Sequence, residues 1–365
     1  VPVADPTLPV LDPTASVLEL TRQLCDIESV SGNEAAIADA IQAALTPASQ
    51  LEVIRDGDAL VARTQLGRQH RVVIAGHIDT VPVNENLPTR LETEDGVDYL
   101  WGRGTVDMKA GVAVALKLAV EVADPRIDVT WIFYDHEEVS ADLNGLGRLA
   151  RNRPDLLAGD FAILMEPTSA DIEGGCNGNL RAEIRTFGLR AHSARAWVGR
   201  NAIHAAAPIL ATLAAYEPQD VEVDGLVYRE GLNAVGITGG IAGNVIPDEC
   251  MVHVNYRFAP SRSADEAIAH IHELFDGYDI RIVDLAAGAR PGLDAEFVQE
   301  FVASVGGTAK PKYGWTDVAR FSALGIPAVN YGPGDPVKAH ADDERVPVAH
   351  IESCERGLRA WLGGR

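Results

Sequence analysis

The sequence predicts an α/β protein: a mainly parallel sheet covered by helices, interrupted by an inserted ferredoxin-like α+β module. Three observations predict it. Short apolar segments alternate with helical ones through the first half of the chain. Those segments are apolar on both faces, as strands covered by helices on either side are. Near Gly174-Gly175 the alternation gives way to a strand–helix–strand–strand–helix–strand order, which reads as a ferredoxin-like unit.

The elements follow in order. After a proline-rich arm, ASVLELTRQLCDIESV (15–30) has the spacing of an amphipathic helix. Ser31 and Glu34 are spaced as a capping box for a second helix. RVVIAG (71–76) is a short buried-type strand. KAGVAVALKLAVEVA (109–123) is an alanine-rich helix stopped by Asp124-Pro125. DVTWIFYD (128–135) and DFAILM (160–165) are two more apolar strands. The inserted order is RAEIRTFG, RNAIHAAAPILATLAAY, LNAVGITGGI, ECMVHVNYRF, SADEAIAHIHELF and DIRIVDL. VEVDGLVYRE (221–230) is an extra piece with the look of a hairpin. Helix and strand alternate again after Pro291. The expected division is therefore 1–178, an inserted 179–290, and 291–365.

Composition excludes several classes. The chain has 365 residues, 47% of them apolar, which is enough for a packed interior. Lys plus Arg is 31 against 53 for Asp plus Glu, a net charge of -22. Such a surface repels phosphate backbones and anionic membranes, so neither nucleic acid nor membrane is an expected partner. No apolar run approaches the roughly 18 residues of a membrane-spanning helix. The N-terminal VPVADPTLPVLDPTAS lacks a basic region and an apolar core, so no export signal is expected. Four scattered cysteines, with no CxxC pair, argue against a disulfide framework or thiolate zinc site and fit a reducing cytoplasm.

Open α/β sheets bind ligands beyond the carboxyl ends of their strands. Three strand exits carry ionisable groups: His77-Ile78-Asp79, Asp135-His136-Glu137-Glu138 and Glu166-Pro167-Thr168. Asp107 stands near the start of the alanine-rich helix, and His340 lies in a Gly/Pro-rich loop after PAVNY. Singly, each has a structural reading: Asp107 suits a helix N-terminus, Glu166 a loop and His77 a core position. Together they are harder to dismiss, because carboxylates crowded at one sheet edge repel unless a cation neutralises them. His77 and Asp79, two apart on an extended chain, face the same side, so Asp79 can accept the second ring N–H of a metal-bound His77. Glu137 and Glu138 could divide metal binding and proton transfer between them. Gly102-Arg103-Gly104 hints at a nucleotide loop, but no GxGxxG or GKS/GKT pattern supports it.

GHIDTVP, GRGTVDMKAG, the Glu137-Glu138 pair, MEPT and AHADDE, in this order around the inserted module, resemble the di-zinc aminoacylase/carboxypeptidase group of metallohydrolases. The resemblance covers nearly the whole chain after the arm. It implies two Zn²⁺ per subunit, with Co²⁺ or Mn²⁺ as substitutes. His77 and Glu166 would hold one ion, Glu138 and His340 the other, and Asp107 would bridge them. Asp79 would orient His77, and Glu137 would be the general base. Two divalent ions, three carboxylates and one hydroxide sum to neutrality, and the imidazole-carboxylate set suits zinc. The chain departs from the family pattern at His136, where an Asp usually precedes the Glu pair. The segments AHSARAWVGRNAIHA, GGIAGNVIPDECMVHVNYRFAP and YGWTDVARF are similar to those of members that release succinate from N-succinyl-LL-2,6-diaminopimelate. N-acetylornithine and dipeptides are the alternatives. This likeness implies a small anionic N-acyl amino-acid substrate met by His192, Asn244, Arg257 and Thr316. It also implies a homodimer through the inserted lid module, with each His192 entering the partner's site. Structural readings stand beside these: His192 as a polar loop residue, Asn244 as a turn residue and Arg257 as a strand-end charge.

Overall fold

A computed structural model describes residues 9–363 and divides into two units. The first comprises the described residues up to Gly174, then Gly292–Lys310, then those from Thr316 on. The second comprises Gly175–Pro291 and Pro311–Trp315. The expected division put 175–178, Pro291 and 311–315 with the flanking pieces. Their hydrogen bonds explain the difference: Cys176 bridges Ala289, the Asn177 N–H donates to the Lys312 carbonyl at 3.2 Å, and the Trp315 indole donates to the Ala287 carbonyl at 3.1 Å.

The first unit is built on an eight-stranded sheet. Its four central strands are parallel, in the spatial order Asp128–Tyr134, Arg71–His77, Phe161–Leu164 and Ala328–Asn330. Antiparallel strands flank them, including Glu52–Asp56 and Ala59–Arg63 on one side. Every residue of Asp128–Tyr134 and Phe161–Leu164 is buried, as strands with helices on both faces must be. The helix Lys109–Glu121 buries all of its residues up to Ala119, and its small side chains let it lie close on the sheet. It ends before Asp124-Pro125, where proline could not continue the ladder. The helices Val17–Cys25, Ala35–Leu45 and Val348–Gly363 complete the core cluster.

Ser31 and Glu34 form no capping box. Glu34 is itself the N-cap of Ala35–Leu45, and no side chain caps that helix. The Ser31 hydroxyl donates instead to Asp79 at 2.6 Å, and Glu34 accepts the Gly32 N–H at 2.9 Å. A charged acceptor in the interior offers a stronger bond than a helix N–H does.

The second unit is an antiparallel sheet in the order Gly231–Gly239, Glu249–Phe258, Gly178–Phe187, Asp279–Ala286. The helices Ala207–Ala214 and Ala264–Leu274 bury Ile209, Leu213, Ala267 and Ile271 against Leu180, Ile184, Val252 and Val254. This is the ferredoxin-like arrangement. Residues 221–230 do contain a hairpin, Asp220–Val223 with Leu226–Arg229.

All four cysteines are buried and free. No described helix is long and apolar enough to cross a membrane. The N-terminal arm read for export lies partly outside the described residues.

Candidate metal centre

The four parallel strands end on the same edge, and each exit delivers part of one cluster. His77 is the last residue of its strand; Glu137 and Glu138 follow Tyr134, and Glu166 follows Leu164. The loop beyond Ala328–Asn330 brings His340, and Asp107 precedes the helix at Lys109. Asp107 is central. Its Oδ1 lies 3.0 Å from His77 Nε2, and its Oδ2 lies 3.4 Å from His340 Nε2. His340 Nε2 also lies 3.0 Å from Glu138 Oε1. Three groups have ligand atoms within 4.8 Å of one another: His77 with Asp107 and Glu166, Asp107 with Glu138 and His340, and His77 with Glu137 and Glu138. The first two share Asp107.

Asp79 lies against His77 Nδ1 with both its backbone carbonyl and its carboxylate. His77 Nδ1 is nearer the Asp79 backbone carbonyl, at 3.1 Å, than its carboxylate, at 3.5 Å. The carboxylate is taken up by the turn beyond Tyr134: Oδ1 accepts the Glu137 N–H at 3.0 Å and Oδ2 the Glu138 N–H at 3.1 Å. Asp79 thus holds both His77 and the Glu pair. Tyr134 packs edge-on against the His77 ring with centroids 6.2 Å apart.

His136, in the left-handed region at φ 58°, turns away from the cluster. Its Nδ1 sits 2.8 Å from Asp135 and 3.3 Å from Glu34. Arg148 in turn clamps Asp135 through both nitrogens. The departure at His136 therefore leaves the Glu137 and Glu138 N–H groups in Asp79's grip.

The electrostatics call for positive charge. Burial alone would raise Asp79, yet its bonds to His77, Ser31 and Glu137 hold it down to about 2. Asp107 is lowered despite burial, by His340 and His77. Asp107, then Glu138, raise His340 to about 10. Burial first, and then Asp317, Glu166 and Glu138, push Glu137 well above the carboxylate range, with His77 opposing. The cluster thus draws protons onto its histidines and Glu137, which is the charge that bound cations would supply. Two imidazoles and three carboxylates, with one carboxylate facing both imidazoles, fit a pair of divalent ions of the zinc type.

The other expected residues fall elsewhere. Thr316 is buried and donates its hydroxyl to Asn330 at 2.9 Å, next to Asp317, which accepts from Asn144 at 3.0 Å. His192, Asn244 and Arg257 belong to the second unit. There the first two are neighbours: His192 pairs with Val245, and the Ser193 N–H donates to the Asn244 carbonyl at 2.9 Å. His192 Nδ1 accepts the Ala194 N–H at 3.0 Å, so the neutral ring carries its proton on Nε2 as a free donor. Arg257 is partly buried on Glu249–Phe258 opposite Asn179. Ser31, Tyr134, Arg103 and Glu344 were not expected at the site. Ser31 left a signal, a polar Ser-Gly turn that was assigned to a helix cap, and Arg103 and Glu344 stood inside the GRGTVDMKAG and AHADDE segments without a role of their own.

Comparison with known proteins agrees with this picture. A family model described as peptidase family M20/M25/M40 matches residues 73–363. A Mycobacterium tuberculosis protein described as a succinyl-diaminopimelate desuccinylase is 54% identical over 348 residues, 94% of this chain and 97% of its own. A Corynebacterium glutamicum succinyl-diaminopimelate desuccinylase is 47% identical, covering 94% of this chain and 95% of its own. Among solved structures, a Staphylococcus aureus tripeptidase shares the fold at 20% identity and a TM-score of 0.77, covering 97% of this chain and 98% of that one.

Proposed function

The chain belongs to peptidase family M20/M25/M40, and from that premise we propose a two-zinc amidohydrolase that cleaves N-succinyl-LL-2,6-diaminopimelate to succinate and LL-2,6-diaminopimelate. The observation that carries the metal reading is Asp107, whose two carboxylate oxygens face one histidine each. His77 and Glu166 would complete one ion's ligands, Glu138 and His340 the other's. Bound there, the ions would supply Lewis acidity and lower the pKa of a bound water. The substrate rests on the two relatives at 54% and 47% identity, each matched over nearly its full length.

The chain's own residues do the rest. Glu137 takes the proton of the attacking water and returns it to the leaving amine. Asp79 fixes Glu137 by its backbone N–H, so the carboxyl can move protons while its stem stays put. Arg257 offers a guanidinium fork to a substrate carboxylate, and Asn244 would supply a polar contact. Thr316 would line the succinyl end. His192 presents its Nε2–H to the developing oxyanion of the partner chain's substrate.

A homodimer through the second unit is part of this reading. Gly231–Gly239 is an edge strand with Val235 and Ile237 exposed, and Ile203, Leu210 and Ile241 are exposed as well. An apolar edge of this kind favours pairing with a second copy.

The test joins metal and substrate on one sample. Chelation should abolish hydrolysis, and Zn²⁺ should restore it at about two ions per chain. Succinyl-diaminopimelate should turn over faster than N-acetylornithine or a dipeptide. Full activity without metal would overturn the metal reading, and a preference for another amide would overturn the substrate reading.

A further inference from the structure

Arg103 and Glu344 are both almost fully buried, 4% and 1% exposed at the side chain, and 2.7 Å apart. Neither is a ligand candidate, and buried charges are rare unless they hold something. Glu344 Oε1 accepts the backbone N–H groups of Val106 at 2.9 Å and Asp107 at 3.2 Å. Its Oε2 accepts Arg103 Nη1. Arg103 Nη1 also reaches the Ala341 carbonyl at 3.4 Å, next to His340, and Arg103 Nε donates to the Pro82 carbonyl at 3.2 Å, beyond the His77-Asp79 exit. The Gly102 N–H donates back to the Glu344 carbonyl at 3.0 Å.

We propose that the Arg103–Glu344 pair is a positioning strut that ties the Asp107 turn to the His340 loop. It fixes the bridging carboxylate and the one ligand that no strand carries. This rests on the two-ion reading above. His77 and Glu166 leave strand ends whose hydrogen-bonded ladder already places them. His340, at φ 63° in an irregular loop and about half exposed, has no such support. The strut therefore matters most for the ion held by Glu138 and His340. Groups that orient a ligand typically change metal affinity by ~10–100-fold when removed.

The test is competitive Zn²⁺ titration against a chromogenic chelator, with thermal melts of the metal-free protein alongside. Glu344→Gln keeps an acceptor for the two N–H groups but removes the charge that holds Arg103. The expected result is one binding step weakened by at least ~10-fold and the other weakened less. Arg103→Lys keeps a cation against Glu344 but loses the fork to Pro82 and Ala341. It should shift the same step in the same direction, and it carries the test if Glu344→Gln does not fold. The strut is overturned if every binding step of the folded variants stays within about threefold of wild type, or if lost affinity only tracks the unfolded fraction. Wild-type turnover of the succinyl amide tests the parent reading separately, so either can fail alone.

Discussion

Glu137 and Glu138 leave one turn, and Asp79 accepts both of their N–H groups. Their carboxylates then meet different surroundings. Glu138 reaches His340 at 3.0 Å, while Glu137 is crowded by Asp317 and Glu166. Glu137→Gln keeps this geometry and removes the base, so turnover should fall by ~10²–10⁴-fold with both ions retained. Metal analysis and a single-turnover assay on the same preparation check it. Loss of an ion in Glu137→Gln, with none lost in Glu138→Gln, would reverse the two roles. At this scale much of the site was legible before any fold was known, because His77, Asp107, Glu138, Glu166 and His340 stand at strand exits, a helix start and a loop. Asp79 was legible as a neighbour of His77 but not as the anchor of a turn 58 residues away. The Arg103–Glu344 pair was invisible, since no spacing along the chain marks a contact spanning 241 residues.

Between elements, the Glu166 exit is set by close backbone approach. A Cβ on Gly332 would lie 2.3 Å from the Met165 carbonyl oxygen and 2.6 Å from that of Glu166, and one on Gly111 would lie 2.3 Å from the same Met165 oxygen. Both neighbours are backbone, so neither can swing aside. The glycines let the helix Lys109–Glu121 and the segment after Ala328–Asn330 press on the loop that carries a ligand. Gly332→Ala should lower stability by ~1–3 kcal/mol, as overpacking does, and weaken the His77–Glu166 ion. Gly307→Ala, where the added Cβ meets only ordinary contacts at 3.7 and 3.9 Å, should do neither. Denaturant melts and zinc titration of the two variants separate the outcomes. A Gly332→Ala protein as stable and as metal-competent as wild type would show that the loop can yield. The sheet itself could be read from strands apolar on both faces, and the inserted module from its element order. Ser31 was misread because a capping box and a buried serine bound to a distant carboxylate have the same local spacing.

Across the whole molecule, a net charge of -22 repels anionic substrates, a repulsion that the cationic anchor proposed at Arg257 would offset. His192 is exposed, and its Nδ1 is already used by the Ala194 N–H, which leaves Nε2–H free to donate. It lies 54 residues or more in sequence from every proposed ligand except Glu166, on the unit whose edge strand exposes Val235 and Ile237. If that edge pairs two chains, and if each His192 serves the partner's site, activity depends on which chain carries which residue. Glu137→Ala dimers and His192→Ala dimers should each be nearly inactive. In a mixed dimer, the site with intact Glu137 belongs to the His192→Ala chain and receives the intact His192 of its partner, while the other site lacks both. A random equimolar mixture, with half its dimers mixed and one live site in each, should recover about a quarter of wild-type activity. Recovery needs exchange of subunits, so it should follow the time course of dimer mixing seen by a mass-tagged chain. If His192 serves its own chain, mixing restores nothing at any time. If His192→Ala alone keeps nearly full activity, the donor to the oxyanion is another group.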